Sequence, residues 1–135
     1  MGTKLDQQSI QCLNIFSKIA GVRTQDCFMY NNARIFVVKP RLLSKAVGER
    51  GKNVRRMSNL FRTRVRVMSG STLGNFIKDI VQPVKFKKLV IENGQVTIYA
   101  GQQAKASLIG RNKVRLIELA DILKRYYGIK VLKIV

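Results

Sequence analysis

Residues 47–54 read VGERGKNV: a glycine, two polar residues and a second glycine directly before a helical pattern. Gly48 and Gly51 let the backbone turn tightly and approach a ligand with no Cβ in the way. The helix predicted to begin at Lys52 points free N–H groups and the positive end of its dipole at this loop. The pattern therefore predicts a phosphate-binding loop. The alternative is a plain turn between two helices with a solvated basic face.

Positive side chains surround this loop. Between Lys39 and Arg66 the chain has ten Lys or Arg and one acid, Glu49. Cations in the first turn of the helix and just before the loop are natural partners for phosphate. An acid inside the loop should weaken phosphate binding slightly unless it points away. The candidate binding residues here are Lys45, Gly48, Glu49, Arg50, Gly51, Lys52, Arg55 and Arg56.

The elements around the loop are predicted from periodicity and turn chemistry. A helix is expected from Leu5 to Ala20, with Asp6 as its N-cap and Gly21 as its stop. A β-hairpin follows, turning at Asn31 and Asn32, which tolerate positive φ. A short helix opened by Pro40, a helix over residues 52–61 and a strand over residues 64–68 complete the order αββααβ.

The second half repeats this order. The pattern predicts helices over residues 73–81, 102–109 and 113–127 and strands over residues 84–91, 95–100 and 130–135, with a hairpin turn at Asn93 and Gly94. Ile35–Val38 aligns with Val96–Tyr99 at an offset of 61, Gly48 with Gly110 at 62, and Val65 with Val131 at 66. The sequence therefore predicts two domains, residues 1–70 and 71–135.

The equivalent loop of the second half reads IGRNKVR over residues 109–115. The second glycine is absent, Lys113 stands in its place, and the spacing from loop to helix looks compressed. Positive charge is kept, so Gly110, Arg111, Lys113 and Arg115 are candidate phosphate contacts. A purely structural turn is an equal alternative.

Side chains on the strands have two interpretations. Arg64 and Arg66 alternate with Val65 and Val67, so both arginines should face away from the core, either extending the basic surface or protecting an edge strand. Three aromatic residues are predicted to pack in the core rather than to form an exposed stacking platform: Phe28, Tyr30 and Phe36.

Composition narrows the function classes. The 135 residues are 46% hydrophobic and include 26 Lys and Arg against 7 Asp and Glu, a net charge of +19 at pH 7. This positive charge favours a polyanionic partner, and both halves of the chain contribute to it.

Histidine is absent, and Cys12 and Cys27 are predicted to be buried thiols, so we expect no metal site, no cofactor and no catalytic residue. Gly51 and Lys52 also fail the P-loop pattern, because its glycine spacing and following Ser or Thr are missing. No segment is long and apolar enough to span a membrane.

The αββααβ order with a GxxG loop between the central helices resembles the KH domain of the prokaryotic type, present twice. VGERGKNVRR in the first half and LIGRNKVRL in the second resemble the archaeal NusA-like transcription elongation and termination factors. The resemblance implies an α+β fold of two tandem type II KH domains, each a three-stranded sheet packed on helices. It also implies a cytoplasmic protein that binds single-stranded RNA and regulates transcription. RNA polymerase is a candidate second partner, no membrane is involved, and a monomer is expected. A general RNA-binding or ribosome-associated KH protein without a role in transcription is the alternative, and a binder of duplex DNA also stays open.

Overall fold

A computed structural model of the chain describes residues 7–24, 26–70 and 72–135. These residues form two compact units. The first unit contains the described residues up to Thr72, and the second unit is Leu73–Val135. Each unit contains three helices and a three-stranded sheet.

The first unit follows the predicted order αββααβ. Its sheet has the strand order β1-β2-β3, with β1 antiparallel to β2 and β2 parallel to β3. A 3₁₀ turn at Pro40–Leu42 leads into the second helix. The elements are α1 Gln7–Ala20, β1 Asp26–Tyr30, β2 Ala33–Val38, α2 Leu43–Val47, α3 Lys52–Phe61 and β3 Arg64–Ser69.

Local chemistry explains these boundaries. Asn31 and Asn32 both have positive φ, at 50° and 60°, which matches the twist of a two-residue hairpin turn. Gly21 has a φ of 69°, and its N–H donates to the carbonyl of Ser17 at 3.0 Å, which ends α1. The predicted N-cap at Asp6 and the predicted helix start at Leu5 lie outside the described residues.

The core of the first unit lies between the helices and one face of the sheet. Phe16 of α1 stacks on Phe36 of β2 with ring centroids 4.4 Å apart, and Met57 of α3 is fully buried beside them. Val65 and Val67 belong to the same cluster. The alternation of β3 therefore directs Arg64 and Arg66 to the opposite face, as predicted, and β3 is an edge strand. The predicted burial of side chains is confirmed for Phe28, Tyr30, Phe36, Cys12 and Cys27.

The second unit repeats the architecture. β4 is antiparallel to β5, and β5 is parallel to β6. Val96 and Ile98 of β5 are fully buried, as are Leu119 and Leu123 of the last helix. The elements are α4 Leu73–Ile80, β4 Lys88–Glu92, β5 Gln95–Tyr99, α5 Gln102–Ile109, α6 Val114–Tyr127 and β6 Val131–Ile134. The predicted α+β class, with two three-stranded sheets on helices, is confirmed.

The predicted first strand of this unit is too long. It was expected from Val84, but β4 begins at Lys88, because the residues before it turn after α4 and the N–H of Val84 donates to the carbonyl of Val81. Pairing with β5 ends at Lys88 opposite Tyr99. The apolar residues between Val84 and Lys88 have no neighbouring strand to pair with, so they do not form a strand despite their β propensity.

The predicted offset between the repeated strands is wrong by one residue. The hairpin turns lie at Asn31 and Asn93, so the offset is 62 there as well as at the glycines. A one-residue slip exchanges the two faces of a strand. With an offset of 62 residues, the buried Phe36 aligns with the buried Ile98. In the last strands Val65 aligns with Leu132, an offset of 67 rather than 66, because α6 is four residues longer than α3 and the connection to the last strand is one residue longer.

The described residues contain neither a membrane-spanning helix nor a cluster of metal-binding side chains. No helix there is long and apolar enough to cross a membrane. The same residues contain no group of three or more His, Cys, Asp or Glu side chains placed to hold a metal ion.

Candidate nucleic-acid interface

The predicted phosphate-binding loop is a tight turn at Glu49–Gly51, between α2 and α3, and its dihedral angles at Arg50 and Gly51 are not helical. Gly48 has φ 82° and ψ 163°, Arg50 has φ 55°, and Gly51 has φ 72°. The N–H of Gly48 donates to the carbonyl of Ser44 at 3.0 Å, and the N–H of Gly51 donates to the carbonyl of Gly48 at 3.0 Å. Three positive φ values in four residues reverse the chain sharply between the two helices.

The first glycine is required by a close approach as well as by its dihedral angles. A Cβ at Gly48 would lie 2.8 Å from Cγ and 2.9 Å from the backbone N of Asn53, shorter than real Cβ contacts. Asn53 in turn donates from Nδ2 to the carbonyl of Lys45 at 3.2 Å. One asparagine thus covers the first glycine and ties the end of α2 to the start of α3.

The start of α3 faces the loop without a capping side chain, because its N-cap residue is Gly51. The first N–H groups of a helix have no partner inside the helix, and the helix dipole adds a partial positive charge there. α3 has 10 residues. The N–H of Lys52 donates to the carbonyl of Glu49, so an anion placed against the loop would meet the later N–H groups of this first turn and the partial positive charge of the helix dipole.

The predicted cations gather at this end of the first unit, and all are exposed: Lys45, Arg50, Lys52, Arg55 and Arg56. Arg55 donates from Nη1 to the carbonyl of Arg50, so it also stabilises the turn. Glu49 is exposed as well. The loop therefore combines exposed positive charges, one guanidinium held by a hydrogen bond and one exposed acid.

The second loop has the same backbone as the first, so the predicted compression is wrong. Gly110 has φ 75° and ψ 172°, Asn112 has φ 56° and ψ 28°, and Lys113 has φ 63° and ψ 21°. These angles match those of Gly48, Arg50 and Gly51 to within about 10°. Lys113 thus occupies a left-handed position that the first loop gives to a glycine, and the path of the chain is the same.

The side chains of the two loops differ more than their backbones. Arg115 takes the place of Asn53, and a Cβ at Gly110 would lie 2.8 Å from its Cγ. Arg115 forms an ion pair with Glu118, which holds its guanidinium along α6. Arg111 and Lys113 are exposed. Val114 and Ile117, exposed by 43% and 61%, stand where the first unit has Lys52 and Arg55. The second loop thus keeps two exposed predicted cations and replaces others with apolar groups.

A cleft that the sequence did not reveal lies in the first unit, beside α1. It has a volume of about 900 Å³. Residues from α1, from the segment before β1, from the end of β2 and from Gly70 line it. The dense basic stretch beginning at Lys39 was the only sequence signal near it, because its other cations, Lys18 and Arg23, are isolated in the chain.

Comparison with known proteins gives a consistent likeness along the chain. A Methanococcus vannielii protein, "Probable transcription termination protein NusA", is 25% identical over 140 aligned residues, covering all of this chain and 81% of the relative. A Methanocaldococcus jannaschii protein of the same name is 24% identical over 137 residues, covering 98% of this chain and 75% of the relative. This chain resembles archaeal NusA proteins. The NusA-like resemblance predicted from the two loops is confirmed.

A solved structure supports the fold of the NusA-like chain. The crystal structure of APE1850 superposes with a TM-score of 0.67 and covers 97% of this chain and 100% of its own, at 22% sequence identity. This likeness concerns the fold alone. No protein-family model matches the chain.

Proposed function

We propose that this chain is a NusA-like transcription factor that binds single-stranded RNA through the loop Gly48–Gly51. The observation that carries the proposal is the turn itself: Gly48 and Gly51 hold a sharply reversed backbone at the start of α3, which has no capping side chain, and Lys45, Lys52 and Arg56 are exposed around it. Backbone N–H groups and cations at a helix start form a binding site for phosphate. The names of the two archaeal relatives supply the link to transcription termination.

In this proposal each half is a type II KH domain, residues 1–70 and residues 71–135. The repeated order αββααβ and the two matching loop backbones support it. The first loop grips the sugar-phosphate backbone of about four nucleotides, and the bases lie against the helices and a strand. Gly110, Arg111, Lys113 and Arg115 add a weaker contact, because Arg115 is engaged by Glu118 and fewer cations surround that loop.

The proposed protein is a binding factor rather than an enzyme. Its chemistry is electrostatic capture of RNA by a chain of net charge +19, with no bond made or broken. We place it in the cytoplasm as a monomer, with RNA polymerase as a second partner. The role in transcription rests on the NusA-like relatives, and a transcription assay with purified polymerase tests it separately from RNA binding.

The first experiment compares single-stranded RNA, single-stranded DNA and duplexes of each, using wild type and the double variant Glu49→Asp with Arg50→Asp. Asp tolerates the left-handed conformation of residue 50, so the fold should survive. We expect a preference for single-stranded RNA that the variant largely abolishes. Undiminished affinity in the variant would exclude the loop as the site.

The control matches the change in charge. Lys124→Asp also lowers the net charge by two, at an exposed position in the third turn of α6, about 16 Å along the helix from the second loop. It should lower RNA affinity only slightly. An equal loss in both variants would mean that net charge, and not the loop, binds the RNA.

A further inference from the structure

The cleft of the first unit combines the groups that a nucleotide needs. Its volume of about 900 Å³ falls within the range of small-ligand sites, roughly 300–1,000 Å³. Leu13 and Pro40 supply apolar wall, and Lys18, Arg23 and Lys39 are exposed cations on its lining. Apolar surface suits the face of a base, and clustered cations suit a phosphate.

Asp26 is the acid on this lining, and it lies at the start of β1. Its N–H donates to Oγ1 of Thr24 at 3.1 Å, and the Thr24 hydroxyl donates to the carbonyl of Val37, which fixes the backbone there. Burial raises the pKa of the Asp26 carboxyl. Within residues 7–24, 26–70 and 72–135, no cation forms an ion pair with it.

A half-buried carboxylate without a cation costs folding free energy, because it has lost part of its hydration and gained little in return. A ligand that donates hydrogen bonds to both carboxylate oxygens removes that cost. Among RNA bases, guanine presents two adjacent donors, N1–H and the N2 amino group, on its Watson–Crick edge. This edge is available in a single strand.

The side chain of Lys45 connects the cleft with the first loop. That residue lies on α2, three residues before Gly48. A Cβ at Gly21 would lie 3.5 Å from Cε of Lys45. Gly21 is two residues from Arg23 of the cleft, and Pro40 of the cleft opens the turn that leads into α2. Lys45 therefore bridges the two sets of cations.

We propose that this cleft holds one nucleotide of the RNA strand that the first loop grips, with guanine as the base. The N1–H and N2 amino groups of guanine donate to the Asp26 carboxylate, and a phosphate lies toward Lys18, Arg23 and Lys39. The inference rests on the proposed function, since the strand reaches the cleft from the loop. It gives that strand a sequence preference that phosphate contacts alone cannot supply.

The test measures the affinity of short single-stranded RNAs that contain guanosine at regular intervals, against the same RNAs with inosine, which lacks the N2 amino group. Wild type should bind the guanosine RNA about five- to tenfold more tightly, within the range of a bidentate base contact. Asp26→Asn should abolish this preference, so that the variant binds the guanosine and inosine RNAs equally. Equal binding of both RNAs by wild type, or a preference retained in Asp26→Asn, would overturn the proposal.

Further variants separate the cleft from the loop. Lys18→Glu should clearly weaken the binding of both RNAs, while Lys124→Glu, with the same change of charge in the second unit, should weaken it only slightly. If the loop double variant abolishes binding while Asp26→Asn and Lys18→Glu behave as wild type, the cleft proposal is wrong and the proposed function stands. If the loop variant binds normally, the proposed function itself fails.

A free nucleotide is the other source of the same chemistry. Guanosine monophosphate should bind about a hundredfold more weakly than the RNA, because the loop no longer holds the strand nearby. Binding as tight as that of the RNA would assign the cleft to a free nucleotide and overturn its assignment to a strand.

Discussion

Asn53 lies so close to Gly48 that a Cβ added to the glycine would come within 2.8 Å of its side chain. Arg115 has the same relationship to Gly110 in the second unit. The residue five positions after the first glycine thus fills the space that a larger residue would need. In both loops the first glycine is fixed by packing, whereas Gly51, the second glycine of the first loop, is fixed only by its dihedral angles.

Gly48→Ala should therefore destabilise the first unit. Its φ of 82° and ψ of 163° lie in a region that only glycine adopts readily, at a cost of about 1–3 kcal/mol for other residues, and the contact with Asn53 adds to this. Thermal or urea unfolding measures the loss. Gly51→Asn is the matched control, since asparagine tolerates φ 72° and ψ 20°, and it should be nearly neutral. Equal losses at both positions would contradict this account of the loop.

Lys113→Gly should stabilise the second unit, by up to about 1 kcal/mol. A lysine at φ 63° is strained by roughly 1–2 kcal/mol. Glycine relieves this strain, but it loses more conformational entropy on folding, which offsets part of the stabilisation. Arg111→Gly removes the same charge in the same turn, but residue 111 is not among the positive-φ positions, so it should lose stability. Denaturant midpoints of the two variants settle the comparison. A loss of stability in Lys113→Gly would be the contrary result.

The salt dependence of RNA binding should be shallow for a protein of this charge. If the first loop grips three or four phosphates, log affinity against log salt slopes by roughly −2 to −3. Arg111→Asp should change that slope by no more than about 0.7, one phosphate contact. Affinities measured between low and moderate salt give both values. A much steeper slope would mean that both units bind the strand.

Asp26→Asn should raise thermal stability at neutral pH. Burial raises the pKa of Asp26 above its ordinary value of 3.8, so the folded state binds the proton more tightly than the unfolded state. The wild type therefore loses stability as pH rises from about 3.8 through the raised pKa, and the loss is complete above it. The melting temperature of the variant should exceed that of wild type at pH 7, and the difference should shrink below pH 3.8. A less stable variant at pH 7 would show that the carboxylate is stabilising.

Much of the fold follows from local signals. The hairpin at Asn31 and Asn32 needs only two residues that accept positive φ, and α3 was predicted with its observed bounds, Lys52–Phe61, from apolar spacing and the glycine before it. Such features depend on neighbours in the chain. The failures involve pairing: the start of β4 depends on where its partner ends at Tyr99, and the strand offset depends on which face is buried.

The candidate site divides in the same way. The first loop could be predicted because its glycines and cations are contiguous. The true spacing of the second loop was hidden because Lys113 adopts a conformation that a sequence assigns to glycine or asparagine. The cleft could not be predicted at all, since Lys18, Asp26 and Lys39 are brought together only by the packing of α1 beside the strand ends.

The shared backbone of the two loops makes them interchangeable parts. Four residues, GERG or GRNK, follow one path between a short helix and a longer one, and each is anchored by its first glycine. A graft of residues 48–51 into positions 110–113 should need no change in the surrounding scaffold. Once the unit had been duplicated, its copies could diverge in what they hold by single substitutions, with the architecture that supports them left as it was.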